Sequence, residues 1–395
     1  MQKLVFLDFG LSDMAGHSYE YDSNIARAFA DAGWSVEVFA NRTCGFNALG
    51  PAAVRPWFSH SPTSPISDNS LLRPFLKLWV HLTTTRREIR KAFAQADNED
   101  TVFFAQQVFP YQILALAAAA RGLKGRLVVM LRATTLKLDA RQESPAPIAR
   151  LYGFALRRLA KVLGANVIFV TDSQGLRVEY EPLSGRPVHV LPIPNPPLEA
   201  TPGQAAAADD GVLTVLYSGR AATEKGFLHL PAIIRAVKDA GLPVRFIVNA
   251  FRHKDDSDPK LKAAIDDVTA LMGSGDQLIA APLPGDAYHT QLASADFSLM
   301  LYDRARYRHQ TSGVLIDTIA SSTRPIVTAG TWLAEVVTDT RFGEIVDENK
   351  GTVGQAVVRI LENAGKGLSK AGPDLQNWPH SRSEFQKRFC SILDS

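Results

Sequence analysis

The chain has 395 residues, of which 46% are hydrophobic and 21% charged, an ordinary globular composition that excludes a long disordered or fibrous region. Because a single hydrophobic core usually stops growing below this length, we expect two domains of about 150 to 200 residues. The formal net charge of +3 is too small to favour a nucleic-acid partner. Residues 1–198 hold 22 Lys and Arg against 16 Asp and Glu, which suits either an anionic partner such as a phospholipid surface or uneven solvation charge alone.

The number of cysteines and the length of the apolar runs indicate the cellular compartment of the protein. Cys44 and Cys390 are the only cysteines, so the sequence contains neither a disulfide framework nor a metal-ligand spacing, and a reducing cytoplasm is expected. The N-terminal apolar run is shorter than a signal peptide needs and predicts a first buried strand. Residues 101–120 lack charges, but glutamines and a proline interrupt them, which favours a strand and an Ala-rich helix over a membrane span.

Strand and helix patterns alternate through the first half. A helix is predicted from Tyr21 to Asp31, ended by Gly33, and the strand, helix and strand of the first 40 residues form a βαβ unit, which implies a parallel sheet. The predicted strands are LVFLDF, SVEVFA, TVFFAQ, RLVVML, ANVIFVTD and VHVLPIPN.

A proline cluster at residues 192–202, followed by an Ala-rich acidic run to Asp210, marks a domain boundary. Beyond it the alternation restarts and predicts a second parallel α/β domain. The predicted strands are VLTVLYSG, VRFIVNA, QLIAAP, FSLMLY and RPIVTAG. The predicted helices are Leu228–Asp239, Pro259–Leu271, Ala287–Ser294 and Gly313–Ala320.

These patterns predict an α/β protein of two Rossmann-like domains facing each other across a cleft, the usual ligand position for such sheets. We expect domains at 1–198 and 211–375, a linker at 199–210, and a C-terminal helix at 376–395 that returns to the first domain. The sequence has no Walker A pattern and no solenoid repeat.

The segment YSGRAATEKGF opens the second domain and carries two cations between a strand and a helix. Gly219 and Gly226 allow close backbone approach, and Arg220 and Lys225 together suit a diphosphate. A turn with two solvated charges would have the same spacing.

Gly-Arg, four residues and then Lys-Gly at this position resembles the donor motif of retaining GT-B glycosyltransferases of the family 4 type (glycosyl transferases group 1). The similarity runs along the chain and includes the loop from Asp13 to Glu20, the PIPN segment and the segment around Trp378. It implies the GT-B fold, an N-terminal acceptor domain and a C-terminal nucleotide-sugar donor domain. It also implies that Arg220 and Lys225 bind the donor diphosphate and stabilise charge on the leaving group.

A second motif is HQTSGVLIDTIASSTRPIV, in which Thr311 or Ser312 can cap a helix that begins at Gly313. Free backbone N–H groups at a helix start suit an anion, although a capped crossover helix would look the same. The family has two glutamates here, seven residues apart, and their counterparts in this chain are His309 and Asp317. The resemblance therefore implies a set of residues that contact the donor. They are Gly16, Gly219, His309, Thr311, Ser312, Gly313, Val314 and Asp317.

The segment SDMAGHSYEYD lies between the first strand and the predicted first helix, where the family has a glycine-bearing loop near the donor phosphates and the acceptor. Gly16 permits close approach, and His17 is the best N-terminal candidate for a polar contact to the reacting sugars, or else a loop hydrogen-bonder. Asp13, Glu20 and Arg132 are further candidates for acceptor binding or base duties, and spacing does not select among them. No metal ligand is predicted, because no Asp-x-Asp motif stands at a strand end.

The segment from residue 71 to 91 is basic and amphipathic, with Trp79 among its apolar residues. Such a helix can contact an anionic membrane at the inner face of the cell membrane, or simply pack on its own sheet. The expected activity is transfer of a sugar, of the hexosyl type, to a glycan or lipid-linked acceptor in cell-surface polysaccharide synthesis. The alternatives are a GT-B epimerase or phosphorylase, and a degenerate nucleotide-binding subunit without catalysis.

Overall fold

The computed structural model describes residues 2–13, 17–61, 73–139, 142–195, 211–252, 258–283, 285–365, 372, 373, 375 and 378–394. For residues 17, 18, 73–77, 137–139, 142 and 143 it describes the backbone alone. The contacts divide the chain into two compact units, Met1–Pro196 with Pro379–Ser395, and Pro197–Trp378. The expected linker at 199–210 lies outside the described residues.

The first unit contains one large sheet whose strands run in the order β10-β9-β6-β5-β1-β2-β4-β3. All its neighbours pair in parallel except β3 with β4, and β7 and β8 form a separate antiparallel hairpin. In chain order the elements are β1 (Lys3–Leu7), α1 (His17–Asp31), β2 (Ser35–Asn41), β3 (Ala48–Leu49), β4 (Ala52–Phe58), α2 (Arg73–Ala96), β5 (Thr101–Ala105), α3 (Pro110–Ala119), β6 (Arg126–Met130), β7 (Leu136–Asp139), β8 (Gln142–Pro145), α4 (Pro147–Leu163), β9 (Val167–Thr171), α5 (Gln174–Ser184) and β10 (Val188–Val190).

Helices cover both faces of this sheet, which is why β1, β5 and β6 are near-continuous apolar runs rather than alternating ones. From β4 the chain crosses to β5 and continues through β6 and β9 to β10, in one direction across the sheet. The crossover from β1 to β2 runs in the opposite direction. Because such crossovers are right-handed, α2 to α5 lie on one face and α1 lies on the other.

Two details of the sequence prediction for this unit are wrong. The first helix begins at His17, four residues before the expected Tyr21, so His17 and Glu20 lie on α1 rather than in the preceding loop. The sheet also contains β4, which was not expected because Arg55 and Pro56 interrupt its apolar pattern. Here β4 pairs with β2 on one side and with only the two residues of β3 on the other.

The second unit has a six-stranded, wholly parallel sheet in the order β13-β12-β11-β14-β15-β16. Its elements are β11 (Leu213–Tyr217), α6 (Leu230–Asp239), β12 (Val244–Asn249), α7 (Pro259–Leu271), β13 (Gln277–Ile279), α8 (Gly285–Ala293), β14 (Phe297–Met300), α9 (Arg304–Tyr307), α10 (Gly313–Ala320), β15 (Arg324–Thr328), α11 (Trp332–Thr340), β16 (Glu344–Val346) and α12 (Val353–Gly365).

A last helix, α13 (Arg382–Leu393), belongs to the first unit and packs against α1. Phe389 is 1% exposed and its ring lies 5.0 Å from that of Phe29 and 5.6 Å from that of Phe104. Ser381 caps the helix by accepting a hydrogen bond from Glu384 N–H. Among the helices of the described residues, none is long and apolar enough to span a bilayer.

Candidate functional site

The sheet of the second unit reverses its strand order between β11 and β14, because β12 lies beyond β11 on one side and β15 beyond β14 on the other. Loops at the carboxyl ends of such strands diverge and leave a crevice that binds ligands in open α/β sheets. The loop after β11 carries Arg220 and Lys225. The Asp303 N–H, after β14, donates to the carbonyl of Glu224 at 3.0 Å, so the two loops touch.

Buried polar atoms without a hydrogen-bond partner among the described residues mark this same edge. They are Ser218 Oγ after β11, Asn249 Oδ1 at the end of β12, Tyr302 Oη after β14 and Thr328 Oγ1 at the end of β15. Leaving a polar atom buried and unpaired costs about 1 to 3 kcal/mol each. Four of them on four neighbouring strand ends indicate a place where a ligand or ordered water supplies the missing bonds.

The loop after β11 is held in one conformation by glycine geometry. Gly226 has φ +76°, and a Cβ there would lie 2.0 Å from the carbonyl oxygen of Leu301. Gly219 has φ +100°, and a Cβ there would meet the Lys225 Nζ at 3.4 Å. Non-glycine residues rarely adopt either conformation, so both glycines serve the close packing of this turn.

The two cations of this loop differ in their partners. Arg220 Nη2 lies 2.6 Å from Glu224 Oε1, whereas no carboxylate of the described residues lies within ion-pair distance of Lys225. The Lys225 Nζ is 5.8 Å from the centroid of the Tyr302 ring. Burial and the charge of Arg220 lower the pKa of Lys225 to about 8. A half-buried cation next to a second cation is stabilised by any bound anion.

The start of α10 supplies a further set of donors. Ser312 caps the helix by accepting from Leu315 N–H at 3.4 Å, and Thr311 and Ser312 are both nearly buried. Gly313 and Val314 form the first turn, whose free N–H groups and positive end favour an anion. Asp317 follows one turn later and accepts a hydrogen bond from Tyr288 Oη at 3.1 Å.

His309 precedes this helix, in the position where the family resemblance predicts a glutamate. The carboxylate of Glu335 on α11 lies near His309. Burial raises the pKa of Glu335, and the charge of His309 lowers it by a smaller amount. Sequence spacing gave no signal for Glu335, since it follows a different strand of the sheet.

Most candidates in the first unit precede or open α1 in the chain. Gly16 lies outside the described residues, and for His17 the structure describes only the backbone, at the start of α1. Asp13 is exposed and accepts a hydrogen bond from Ser12 Oγ at 3.3 Å. Glu20 lies on the first turn of α1.

Arg132 lies between a carboxylate and an aromatic ring. Its Nε donates to Asp172 Oδ2 at 2.7 Å, and its guanidinium lies 4.6 Å from the centroid of the Tyr21 ring. An arginine held by a buried carboxylate and an aromatic face stays protonated and is not a general base. These contacts link Arg132 to Tyr21 on α1, and its part in acceptor binding stays a prediction.

A buried acid cluster, missed in the sequence, lies at the switch point of the first sheet, between β1 and β5. Gln106 Nε2 donates to Asp8 Oδ2 at 3.0 Å and also to Asp22 Oδ1. Burial, followed by the charge of Asp8, raises the pKa of Asp22 well above its ordinary value. The raised pKa means that this buried position favours the protonated form of Asp22 more than water does.

A second missed group lies beside α2. The His81 and His60 rings stack at 4.5 Å, and Tyr111 meets His81 edge-on at 4.7 Å. Burial lowers the pKa of His81 to about 4, so its imidazole is neutral at ordinary pH. His60 follows β4 and Tyr111 lies on α3, so sequence proximity gave no hint of the cluster. Within the described residues no group of three or more His, Cys, Asp or Glu is placed to hold a metal ion.

No protein-family model matches the chain, and no curated protein matches it in sequence. Solved structures do match its fold over 100% of its length. Sucrose-phosphate synthase from Thermosynechococcus elongatus superposes with a TM-score of 0.67 at 14% identity over 95% of that chain. A UDP-forming α,α-trehalose-phosphate synthase from Burkholderia xenovorans gives 0.67 at 11% identity over 99% of that chain. Anabaena HepE in complex with UDP and glucose gives 0.60 at 13% identity over 100% of that chain.

At these identities the likeness concerns the fold, and it agrees with the two sheets described above. The chain is an α/β protein with the GT-B fold, built from two Rossmann-like domains, as the sequence predicted.

Proposed function

We propose that the chain is a glycosyltransferase that takes a hexosyl group from a nucleoside-diphosphate sugar and gives it to a glycan or lipid-linked acceptor. The observation that carries the proposal is the half-buried Lys225, beside Arg220 and without an ion-pair partner among the described residues, at the switch point of a Rossmann-like sheet. A diphosphate fits this place because it brings two or more negative charges to two cations. The GT-B fold, shared with transferases that form UDP, supports the same assignment.

The chemistry follows from these charges. The bond between the sugar C1 and the β-phosphate oxygen breaks, and the leaving diphosphate gains a negative charge. Lys225 and Arg220 stabilise that charge more in the transition state than in the bound donor, which lowers the barrier. The acceptor hydroxyl forms the new bond to C1, and its proton passes to the leaving phosphate oxygen.

Asp317 is our proposed partner for the donor ribose, since a carboxylate held by Tyr288 can accept hydrogen bonds from ribose hydroxyls. UDP is the first nucleotide to test, because one similar enzyme is described as UDP-forming and another structure is a complex with UDP and glucose. We further propose transfer with retention of the anomeric configuration, as in family 4. His309, with Glu335 near it, takes the place of the family's first glutamate on the donor sugar.

The acceptor proposal rests on the first unit. Trp79 is 65% exposed on α2, and Arg86, Arg87, Arg90 and Lys91 are exposed beyond it. Apolar and basic side chains together suit an anionic membrane surface. We propose that residues 71–91 bring the protein to the inner face of the cell membrane, where a lipid-linked acceptor in polysaccharide synthesis would be met.

The test is a thermal-shift panel of UDP, GDP and ADP and their hexose conjugates. UDP should raise the Tm in proportion to its affinity. Lys225→Ala and Arg220→Ala should each weaken diphosphate binding by about tenfold or more, because each removes a charged hydrogen-bond donor. Lys260→Ala on the exposed face of α7 is the matched control and should bind as the wild type does. Unchanged diphosphate binding in both loop variants would refute the proposal.

Turnover separates the remaining activities. Incubation of the nucleotide sugar without acceptor should release little sugar from a transferase, whereas an epimerase would release free sugar. Binding without turnover in the presence of membrane extract acceptors would identify a degenerate subunit. We also propose that no metal takes part, so activity should persist in EDTA. Activity lost in EDTA and restored by magnesium or manganese would overturn that part.

A further inference from the structure

Helix α4 exposes large apolar side chains on a folded unit that already has a complete core. Its buried side, which includes Tyr152, Leu156 and Leu159, packs on the sheet and its neighbouring helices. On the opposite side Phe154 is 55%, Leu151 46% and Ile148 39% exposed. Soluble proteins rarely gather large exposed apolar side chains on one helix face, and such a patch usually marks an interaction surface.

Apart from Pro147 and Val162, the other exposed side chains of α4 are all basic. Among its 17 residues there is no acidic one, and its exposed cations are Arg150, Arg157, Arg158 and Lys161. Arg157 donates to the carbonyl of Leu183 at 2.9 Å, whereas Arg150, Arg158 and Lys161 have no ion pair among the described residues. Every exposed position of this helix is therefore either apolar or positively charged.

Helix α2 shows the same combination on the same face of the sheet. Trp79 is 65% and Val80 49% exposed, and its exposed charges are basic. Glu88, the one acidic residue of α2, is 5% exposed. It accepts a hydrogen bond from Ser59 N–H, and its Oε1 lies 3.2 Å from Arg42 Nη2. Between the two helices lies α3, which packs against both. The exposed sides of α2 and α4 thus point away from the sheet on one helical layer.

We propose that the outer sides of α2 and α4 together form a docking surface for an anionic lipid bilayer. The α2 part rests on the proposed function, which already includes membrane contact by residues 71–91. The α4 part adds a second helix to that contact, and it does not depend on which reaction the protein catalyses. Phe154, Leu151 and Trp79 enter the boundary between headgroups and acyl chains, while the arginines and Lys161 reach the lipid phosphates.

Charge and shape select a bilayer over a nucleic acid. A nucleic acid would use the cations but would leave Ile148, Leu151 and Val162 without a counterpart. A protein partner would bury arginine and phenylalanine, which are enriched in protein interfaces, so the self-association assay below separates it from a bilayer. A bilayer accepts both kinds of side chain in one plane, and each cation near an anionic surface contributes about fivefold to partitioning.

Vesicle sedimentation tests the surface directly, with the full chain and vesicles of phosphatidylcholine alone or mixed in equal parts with phosphatidylglycerol. Wild type should bind the mixed vesicles, and high salt should weaken binding. The double variant Arg150→Glu, Arg158→Glu should partition at least about twentyfold less, since two attractive charges become repulsive. The control Lys260→Glu, Lys262→Glu changes net charge equally, on exposed residues of α7, and should bind as the wild type does.

The apolar part has its own variant, Leu151→Ser with Phe154→Ser, which should also lose binding. The intrinsic fluorescence of wild type should shift to the blue on mixed vesicles, and this shift should be smaller in Trp79→Phe. Equal loss in the control and α4 charge variants, or full binding by the serine variant, would overturn the proposal. Concentration-dependent self-association abolished by Phe154→Ser, without vesicle binding, would instead identify a protein contact. The Tm of each variant without ligand verifies folding, and its shift with UDP reports on the proposed function separately from docking.

Discussion

Tyr288 donates a hydrogen bond from its hydroxyl to Asp317 Oδ2 at 3.1 Å and so joins α8 to α10. The bond holds in place the carboxylate that we propose for the donor ribose. Tyr288→Phe removes the donor and keeps the ring, so we expect UDP to bind about fivefold more weakly. Isothermal titration checks this. Thr290→Ala, which removes an exposed hydroxyl from the same helix, should have no effect, and an equal loss there would contradict the role of Tyr288.

Diphosphate binding should depend on pH through Lys225, whose pKa is lowered to about 8. Below that pH the side chain is protonated and attracts the diphosphate, whereas above it the amine is neutral. A bound anion raises the pKa of the lysine, so binding takes up a proton and affinity falls by up to about tenfold per pH unit above 8. Titrations of UDP from pH 7 to 10 measure the slope. Lys225→Arg should flatten it, because a guanidinium stays protonated throughout; an unchanged slope would exclude Lys225 as its source.

Gly226→Ala should disrupt the loop after β11. The added Cβ would lie 2.0 Å from the Leu301 carbonyl oxygen at a backbone φ of +76°, so we expect a loss of about 3 kcal/mol in unfolding free energy and loss of UDP binding. Gly241→Ala is the matched control, because Gly241 also has a positive φ, +65°, but nothing within 4 Å of the added atom. Denaturant unfolding of both variants separates the effect of the close contact from that of the positive φ. Equal losses of unfolding free energy would mean that the positive φ alone causes the destabilisation.

Asp22→Asn should make stability less dependent on pH. The native pKa of Asp22 is raised well above its ordinary value of 3.8, so between those two values the native state holds a proton that the unfolded state has released. Stability therefore falls as pH rises through that interval, by up to about 1.4 kcal/mol per unit. Asparagine cannot ionise, so the unfolding free energy of the variant relative to wild type should increase as pH rises. Urea unfolding at several pH values gives the difference, and parallel curves would contradict it.

Local patterns predicted the regular part of the fold well. The helices Pro259–Leu271 and Gly313–Ala320 begin and end where proline, a serine cap and apolar spacing indicated. The start of α1 was missed because HSYE has no apolar period and no proline or preceding cap residue to mark it. The contacts that complete the sites, such as Arg132 with Asp172, join residues about 40 positions apart that only the sheet brings together.

The candidate donor site was predictable to the extent that it lies within one loop. Arg220, Lys225 and the two glycines occupy eight consecutive residues, so their chemistry is visible in the sequence. The pairing of Arg220 with Glu224, which leaves Lys225 without an ion pair among the described residues, depends on the turn itself. The proximity of Glu335 to His309 depends on two strands being neighbours.

The position of α13 has a consequence for how the chain folds during synthesis. Phe29 and Phe104 pack against Phe389, which the ribosome adds some 280 residues after Phe104. Until then the emerging first unit carries an uncovered aromatic patch, while the second unit can close on itself. Chains truncated after residue 378, which lack α13, should therefore contain a folded second unit and a first unit that chaperones still recognise.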